Sequence, residues 1–449
     1  MKKKIVRIAS LLMALTMAVS IAGCGKTEKT DSKPTDTTTS TEEESSKSGA
    51  LTEVRDLGGR TINFLANWSE PTKGSSDRNN KYWEKKTQIE KDYNCKFNHI
   101  VIADGTVYDS FITSILSGDP MADIVCYKGN PYPAIVQGLF YDLASLPEFD
   151  FSENKWQKAV SEMGRVNNKQ YLMLGQSFYR ANLVYYNKDA FNQYGLEDLY
   201  TLQKDGKLTL DKFVSIATKL SQSTGKVAIR TMDYDLFPKA YGVVPVEKVD
   251  NKLEFKVNVN STKMVDAYNK MMQLIEDGVM SNGLDGTSWN YAQTQFNSGV
   301  CPILTGSESI EDHFAAADFE VGMCVFPTVD GKMLLTNDAN LAWTAIPYNA
   351  SKPNDIALIW NQMNDVILDV DYKSRYQDAV SEEAMELINT ISKLQTSESF
   401  VVNCDIATSS VTSKTGTMNE MRSGAITPAQ AMQTIEPLYE AALKAFMDN

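Results

Sequence analysis

Histidine is nearly absent from this chain: His99 and His313 are the only two among 449 residues. There is also no HExxH pair, no GxSxG nucleophile elbow and no glycine-rich phosphate loop, so metalloprotease, α/β-hydrolase and phosphate-loop chemistries lack their parts. Cysteine is equally sparse. Besides Cys24 there are only Cys95, Cys126, Cys301, Cys324 and Cys404, an odd number with no CxxC spacing, which supports neither a disulfide framework nor a metal site. Cys126, Cys301 and Cys324 lie inside apolar runs, where small buried thiols are expected, and no metal or other cofactor is anticipated. Basic residues are in deficit, 44 against 57 acidic ones. That deficit argues against nucleic acid or an anionic membrane as the main partner.

Long apolar runs are missing as well, except at the start. Lys2, Lys3, Lys4 and Arg7 precede an apolar stretch from Ile8 to Ala22, too short to span a bilayer permanently, and this reads as a signal peptide over residues 1–23. It closes on Ile21-Ala22-Gly23-Cys24, which resembles the lipobox of bacterial lipoproteins; lipidation is therefore expected at Cys24, against the alternative of an ordinary cleaved signal with an incidental cysteine. Without the four leading basic residues the chain carries 40 Lys and Arg against 57 Asp and Glu, a net charge of −17. Residues 24–50 are rich in Thr, Ser, Glu, Lys and Asp with almost nothing to bury, so a disordered tether is expected there, with a reach on the order of 30 Å.

The remaining stretch, Leu51 to Asn449, is about 400 residues long, more than one hydrophobic core usually serves, which suggests two domains. Short β-like runs alternate with helical stretches. Strands are expected at Thr61–Leu65, Lys96–Ile102, Asp123–Tyr127, Leu183–Tyr186, Val300–Leu304, Phe319–Val325 and Leu341–Ile346. Helices are expected at Lys81–Tyr93, Val107–Leu116, Leu210–Gln222, Ser261–Asp277, Tyr291–Asn297 and Asn354–Asp369. This is an α/β pattern, read as largely parallel, with a last hundred residues that are helical and free of strands. Thr427-Pro428-Ala429-Gln430 has the form of a capping box opening the final helix.

Five segments, in this order, resemble the family 1 extracellular solute-binding proteins, the maltose-binding-like sugar-binding lipoproteins of ABC transporters. They are Leu116-Ser-Gly-Asp-Pro-Met-Ala-Asp-Ile-Val125 with Gly138-Leu-Phe-Tyr-Asp-Leu143; Gly164-Arg165 through Val184-Tyr-Tyr-Asn-Lys-Asp-Ala-Phe191 to Gly195-Leu196; Gly206-Lys-Leu-Thr-Leu-Asp-Lys-Phe213, without the family's two tryptophans; Phe296-Asn-Ser-Gly299 with Cys301–Gly306; and Ser423-Gly424 with Thr427-Pro428-Ala429. The resemblance implies a two-lobed, type II periplasmic-binding-protein-like α/β fold with a ligand cleft between lobes and hinge closure on cargo. It puts lobe one at 52–176 plus 326–372 and lobe two at 177–325 plus 373–449. It further implies a monomer that captures a carbohydrate, an oligosaccharide in the first instance, for ABC permease subunits. The protein would sit on the extracytoplasmic face of the cell membrane, held through its lipid anchor only, and at the cell surface in a single-membrane bacterium.

Sugars present apolar C–H faces and hydroxyl rims, so aromatic rings beside Asp, Glu, Asn and Arg are the expected contacts. The chain has 20 Tyr and 6 Trp, several at strand ends, where α/β folds place ligands. Asn67 and Trp68 follow the first strand, and Tyr127 and Lys128 end the Asp123 strand. Tyr179 and Arg180 fall at the first crossover, where Arg grips hydroxyls or instead forms a hinge salt bridge. Tyr234 and Asp235 lie in a tyrosine-rich loop, and Trp289 precedes the Tyr291 helix. Where the family often has Gly-x-Trp, this chain has Gly306-Ser307-Glu308, exchanging an aromatic platform for Glu308. Asp338, Trp343 and Asp405 complete the candidates, whereas Asp123 is read as support for its strand. An exported glycosidase with paired carboxylates, and a binding protein for a polyamine or peptide, remain the alternatives.

Overall fold

The computed structural model describes residues 55–102, 106–175, 182–286, 288, 290–306, 310–333, 335–336, 342–369, 380–394, 400–401 and 416–447. In chain order the strands are β1 Arg60–Ala66, β2 Cys95–Val101, β3 Ile124–Lys128, β4 Arg165–Val166, β5 Lys169–Gln170, β6 Leu183–Asn187 and β7 Ile229–Thr231. They continue with β8 Val246–Lys248, β9 Phe255–Val257, β10 Ile303–Gly306, β11 Val321–Val325, β12 Leu335–Thr336, β13 Ala342–Ala345 and β14 Phe400–Val401. Two four-stranded sheets result, ordered β13-β3-β1-β2 and β11-β6-β10-β7.

Side-chain alternation builds the core on both faces of each sheet. In the first, Ile62, Phe64, Ile124 and Cys126 point into a cluster with Trp360, while Leu65 and Val125 point into the main core. Phe64 stacks on Trp360 at 4.9 Å and on Phe97 at 5.8 Å between ring centroids. In the second, Leu183, Tyr185, Val321 and Met323 face one cluster, and Val184, Tyr186 and Cys324 face the main core. Every residue of β11 and β13 is buried, the signature of sheets covered on both sides.

The reading as largely parallel is corrected. β1 is parallel to β2 and β3, and β10 to β7, but β13 is antiparallel to β3 and β6 is antiparallel to both β10 and β11. Hydrophobic alternation has the same period in either direction, so it carries no sign for strand polarity. The strand-free C-terminal hundred is corrected too: Phe400–Val401 pairs in parallel with Leu335–Thr336, a two-residue ladder too short for periodicity to register.

Helix starts follow their capping chemistry. The first helix begins at Asp77, four residues before the expected Lys81, because Ser76 accepts a hydrogen bond from the Asn79 amide. Thr209 and Ser261 cap the helices Leu210–Thr224 and Thr262–Glu276 in the same way. At Pro428–Met447 the capping box forms as expected: the Gln430 amide donates to Thr427 Oγ1 at 3.3 Å and the Thr427 amide donates to Gln430 Oε1 at 2.9 Å. Asp123 is a support, accepting from Arg60 Nη2 at 2.9 Å and from the Asn63 amide at 2.8 Å, which pins the start of β3 to β1. Cys95, Cys126, Cys301 and Cys324 are free and buried.

Two short hairpins meet. β4–β5 turns through Asn167 and Asn168 at φ 51° and 63°, conformations asparagine tolerates. The Asn167 amide donates to the Asn251 carbonyl at 2.9 Å, and Asn251 Nδ2 donates to Asn168 Oδ1 at 2.6 Å, joining this turn to the β8–β9 hairpin.

Gly322 has no room for a side chain: a Cβ there would lie 2.2 Å from the Tyr186 ring, and Tyr186 is held by its hydroxyl, which donates to Asp198 at 2.6 Å. Gly322→Ala is expected to destabilise the fold by about 1–3 kcal/mol, by overpacking. Thr427→Ala, which removes only a cap, is expected to cost about 1 kcal/mol. Urea denaturation of both variants beside the parent checks the size and the order of these losses.

Candidate functional site

Apart from Trp343, the described candidates sit where strands run out. Asn67 and Trp68 follow β1, Lys128 ends β3, and Tyr234 and Asp235 lie just beyond β7, the carboxyl ends at which open α/β sheets gather ligands.

On the first sheet, the loop after β1 is clamped along its length. His99 Nε2 lies 2.8 Å from the Trp68 carbonyl; a carbonyl only accepts, so the ring nitrogen is the donor. Glu70 accepts from the Tyr82 hydroxyl at 2.9 Å and the Lys86 ammonium at 2.7 Å. Trp83 Nε1 donates to the Pro71 carbonyl at 2.7 Å, and the Lys86 ammonium lies 4.6 Å from the Trp83 ring centre. Burial holds His99 below the usual imidazole range, with the Trp68 carbonyl opposing it. With its carbonyl held, Trp68 stays 39% exposed, leaving aromatic surface that a ligand face would cover.

Tyr127 stacks on Tyr108 at 5.1 Å and meets the edge of Trp343 at 5.8 Å. Trp343 itself is fully buried, and its Nε1 donates to the Gly129 carbonyl at 2.7 Å. The structure thus places Trp343 in the core, as a wall behind Tyr127, because its strand is covered on both faces. Gly129, at φ 139°, lets the turn fold back: a Cβ there would come within 2.8 Å of the Tyr127 ring. Lys128 is exposed beside it.

On the second sheet, Tyr234 and Asp235 line a cavity of about 470 Å³ together with Met232, Asp233, Tyr268, Met418, Asn419, Arg422 and Met432, among others. That volume lies within the usual range for small-molecule sites. The Arg422 guanidinium stacks over the Tyr234 ring at 4.1 Å and donates to the Asn282 carbonyl at 3.1 Å and to Asn419 Oδ1. Asp233 pairs with the Lys239 ammonium at 2.6 Å, and Asp235 accepts from the Tyr268 hydroxyl at 2.8 Å. Burial raises the Tyr234 hydroxyl above its ordinary range, with Arg422 pulling the other way. Gly283 makes the approach possible, since a Cβ there would lie 1.8 Å from the Tyr234 hydroxyl.

A second arginine–tyrosine stack adjoins the first. Arg230 lies 5.0 Å from the Tyr291 ring centre and grips Asp285 with two bonds of 2.9 and 2.6 Å. The Arg230 bonds hold the Asp285 carboxyl below the usual carboxylate range. Ser281 joins the loop, accepting from Arg230 at 3.2 Å and from the Gly283 amide at 3.1 Å.

Tyr234 and Asp235 are thus brought together with partners that the sequence does not announce, Asn419, Arg422 and Arg230. Arg422 immediately precedes the Ser423-Gly424 segment, the one signal that points to its neighbourhood. Trp68 and Tyr127 form separate groups at the carboxyl end of the other sheet's central strands, the first clamped by His99 and the second packed on Tyr108 and Trp343. Tyr179, Arg180, Trp289, Glu308, Asp338, Asp405 and Cys24 lie outside the described residues.

No curated protein sequence matches the chain. Among solved structures, the GacH receptor of Streptomyces glaucescens, determined unliganded and with acarbose, is similar at TM-score 0.56 and 16% identity, over 86% of this chain and 99% of that one. The ABC substrate-binding protein of Listeria monocytogenes, solved with cycloalternan, gives 0.56 and 18% over 86% and 99%. The cyclic α-maltosyl-1,6-maltose binding protein of Arthrobacter globiformis gives 0.61 and 14% over 86% and 100%. These likenesses show a shared fold, the type II periplasmic-binding-protein architecture of mixed sheets and helices. The sequence model described as "Bacterial extracellular solute-binding protein" matches residues 74–358. That match spans more than half the chain, which therefore belongs to the bacterial extracellular solute-binding proteins.

Proposed function

We propose that the protein is the substrate-binding lipoprotein of an ABC importer, capturing a carbohydrate, in the first instance an oligosaccharide, and presenting it to a permease. The observation that carries this reading is the rim of the 470 Å³ cavity, where a stacked Tyr234–Arg422 pair stands beside Asn419 and Asp235. A ring faces the C–H surface of a sugar, and the amide, guanidinium and carboxylate serve its hydroxyls. The solved relatives with acarbose and cycloalternan support the same class of cargo.

In this reading the lobes are 52–176 plus 326–372 and 177–325 plus 373–449, and the ligand draws them together because it touches both. Closure is driven by the difference in its affinity for the two states. Trp68, Asn67, Tyr127 and Lys128 supply one wall, Tyr234, Asp235 and Arg422 the other. Tyr179, Arg180, Trp289, Glu308, Asp338 and Asp405 belong to the same proposal. The alternative of a polyamine fits less well: the Asp233 carboxylate is already paired with Lys239, and Arg422 puts a positive charge on the rim, which repels a polycation. The anchor is Cys24, lipidated on the extracytoplasmic face.

Thermal-shift screening against oligosaccharides, monosaccharides, peptides and polyamines tests the cargo, because a ligand bound only by the native state raises the melting temperature. A selective rise with one glycan, without turnover of it, is expected; a rise only with a polyamine or peptide contradicts the assignment. With that glycan in hand, calorimetry on Trp68→Ala and Arg422→Ala is expected to show losses of roughly 10- to 100-fold each, the scale of one stacking or charge-assisted contact. Cys24→Ser is expected to move the protein from the membrane fraction to the soluble one, as read by fractionation and blotting.

A further inference from the structure

Two hairpins that belong to different sheets are joined at their tips. The β4–β5 hairpin goes with the first sheet: just past β5, Met173 exchanges backbone bonds of 3.0 and 2.7 Å with Thr344 of β13, and the Gln170 amide donates to Asp142 at 3.0 Å. The β8–β9 hairpin goes with the second: the chain leaves β7 before it and returns after it to Met280, which bridges back to Ile229 of that strand. Its foot lies in the candidate site, since Pro245 and Val259 line the cavity and the Asn258 amide donates to the Pro245 carbonyl at 2.8 Å.

The junction is a clasp of asparagines. The Asn167 amide donates to the Asn251 carbonyl at 2.9 Å, the Asn168 amide to Asn251 Oδ1 at 3.0 Å, and Asn251 Nδ2 back to Asn168 Oδ1 at 2.6 Å. Along the flank, Phe255 of β9 meets the Tyr132 ring edge to face at 4.9 Å, and Tyr132 follows the turn that leaves the site end of β3. Neither hairpin needs the clasp in order to fold. β4–β5 is closed by a two-residue turn with both residues at positive φ, and β8–β9 by its own bond from the Val249 amide to the Glu254 carbonyl at 2.8 Å. Asn167 and Asn168 are exposed and Asn251 is half-buried, so water competes for each bond and the net worth of each is small. A contact that is specific, weak and surplus to folding suits a part that opens and closes.

We propose that the Asn168–Asn251 clasp is a latch between the two lobes, made when they close on cargo and undone when they part, so that it adds to the affinity of capture. The assignment rests on the two-lobed carbohydrate reading above, in which β4–β5 falls in lobe one and β8–β9 in lobe two, and it deepens that reading by naming positioning residues away from the ligand. A contact made only in the closed state shifts the population towards that state and tightens binding accordingly.

Calorimetry and binding kinetics with the glycan selected by the thermal-shift screen test the latch. Asn251→Ala, which removes two of the three bonds, is expected to weaken binding at least about threefold, and Asn168→Gly, which removes one and keeps a residue suited to the turn, by less. The double variant is expected to match Asn251→Ala, whose loss already includes the shared bond; losses that multiply overturn the latch. The loss is expected in a faster dissociation rate with the association rate unchanged, a split that a merely weakened fold does not produce. An Asn251→Ala affinity within about threefold of the parent, or a tighter one, overturns the latch and leaves sugar capture standing. If the parent binds no glycan, the failure belongs to the carbohydrate reading, and small-angle scattering of the ligand-free variant carrying both Asn168→Cys and Asn251→Cys then decides the latch. A larger radius of gyration in the reduced form than in the oxidised one supports it; equal radii overturn it.

Discussion

Burial of most strands of the two sheets on both faces is the constraint on which the rest of this protein depends. With strands such as Val321–Val325 and Ala342–Ala345 entirely covered, polar and aromatic groups within the strands are committed to the core. Those free to meet a solute gather in the loops at the strand ends. Trp343 shows the rule from the inside. An indole at the second position of a covered strand becomes a wall, its nitrogen satisfied by the Gly129 carbonyl, while Trp68, just past its strand, keeps part of its surface in water.

Loops at strand ends must then be held still by other means. The segment after the first strand is fastened through Trp68, Glu70 and Pro71 by residues of the first helix and the second strand. The segment Ser281–Asp285 is fastened by two arginines, each lying on a tyrosine. On the proposed reading these side chains act as positioning groups: a ring presented rigidly loses less conformational entropy when a ligand arrives. Glycines at 129 and 283 serve the same end by admitting tyrosine rings where any Cβ would collide with them.

Much of this is legible in the amino-acid order, and the exceptions have physical causes. Strands and long helices can be read because two- and 3.6-residue periodicities leave a direct trace, and Thr427 with Gln430 announces a helix start by chemistry that is local. Asp123 can be read as a support because it opens a buried strand. Strand direction is not legible, since alternation is the same both ways. Nor is Arg422: its stack on Tyr234 joins residues far apart in the chain, and an arginine on a short helix looks from sequence like any solvated charge.

The central claim is that one solute is held from both sheets at once. Hydrogen exchange with and without a saturating glycan tests it most directly, because amides that a bound ligand shields or rigidifies exchange more slowly. The account predicts slowed exchange in the loop around Trp68 and, in the same experiment, around Tyr234 and Arg422. Slowing confined to one of these regions would contradict it.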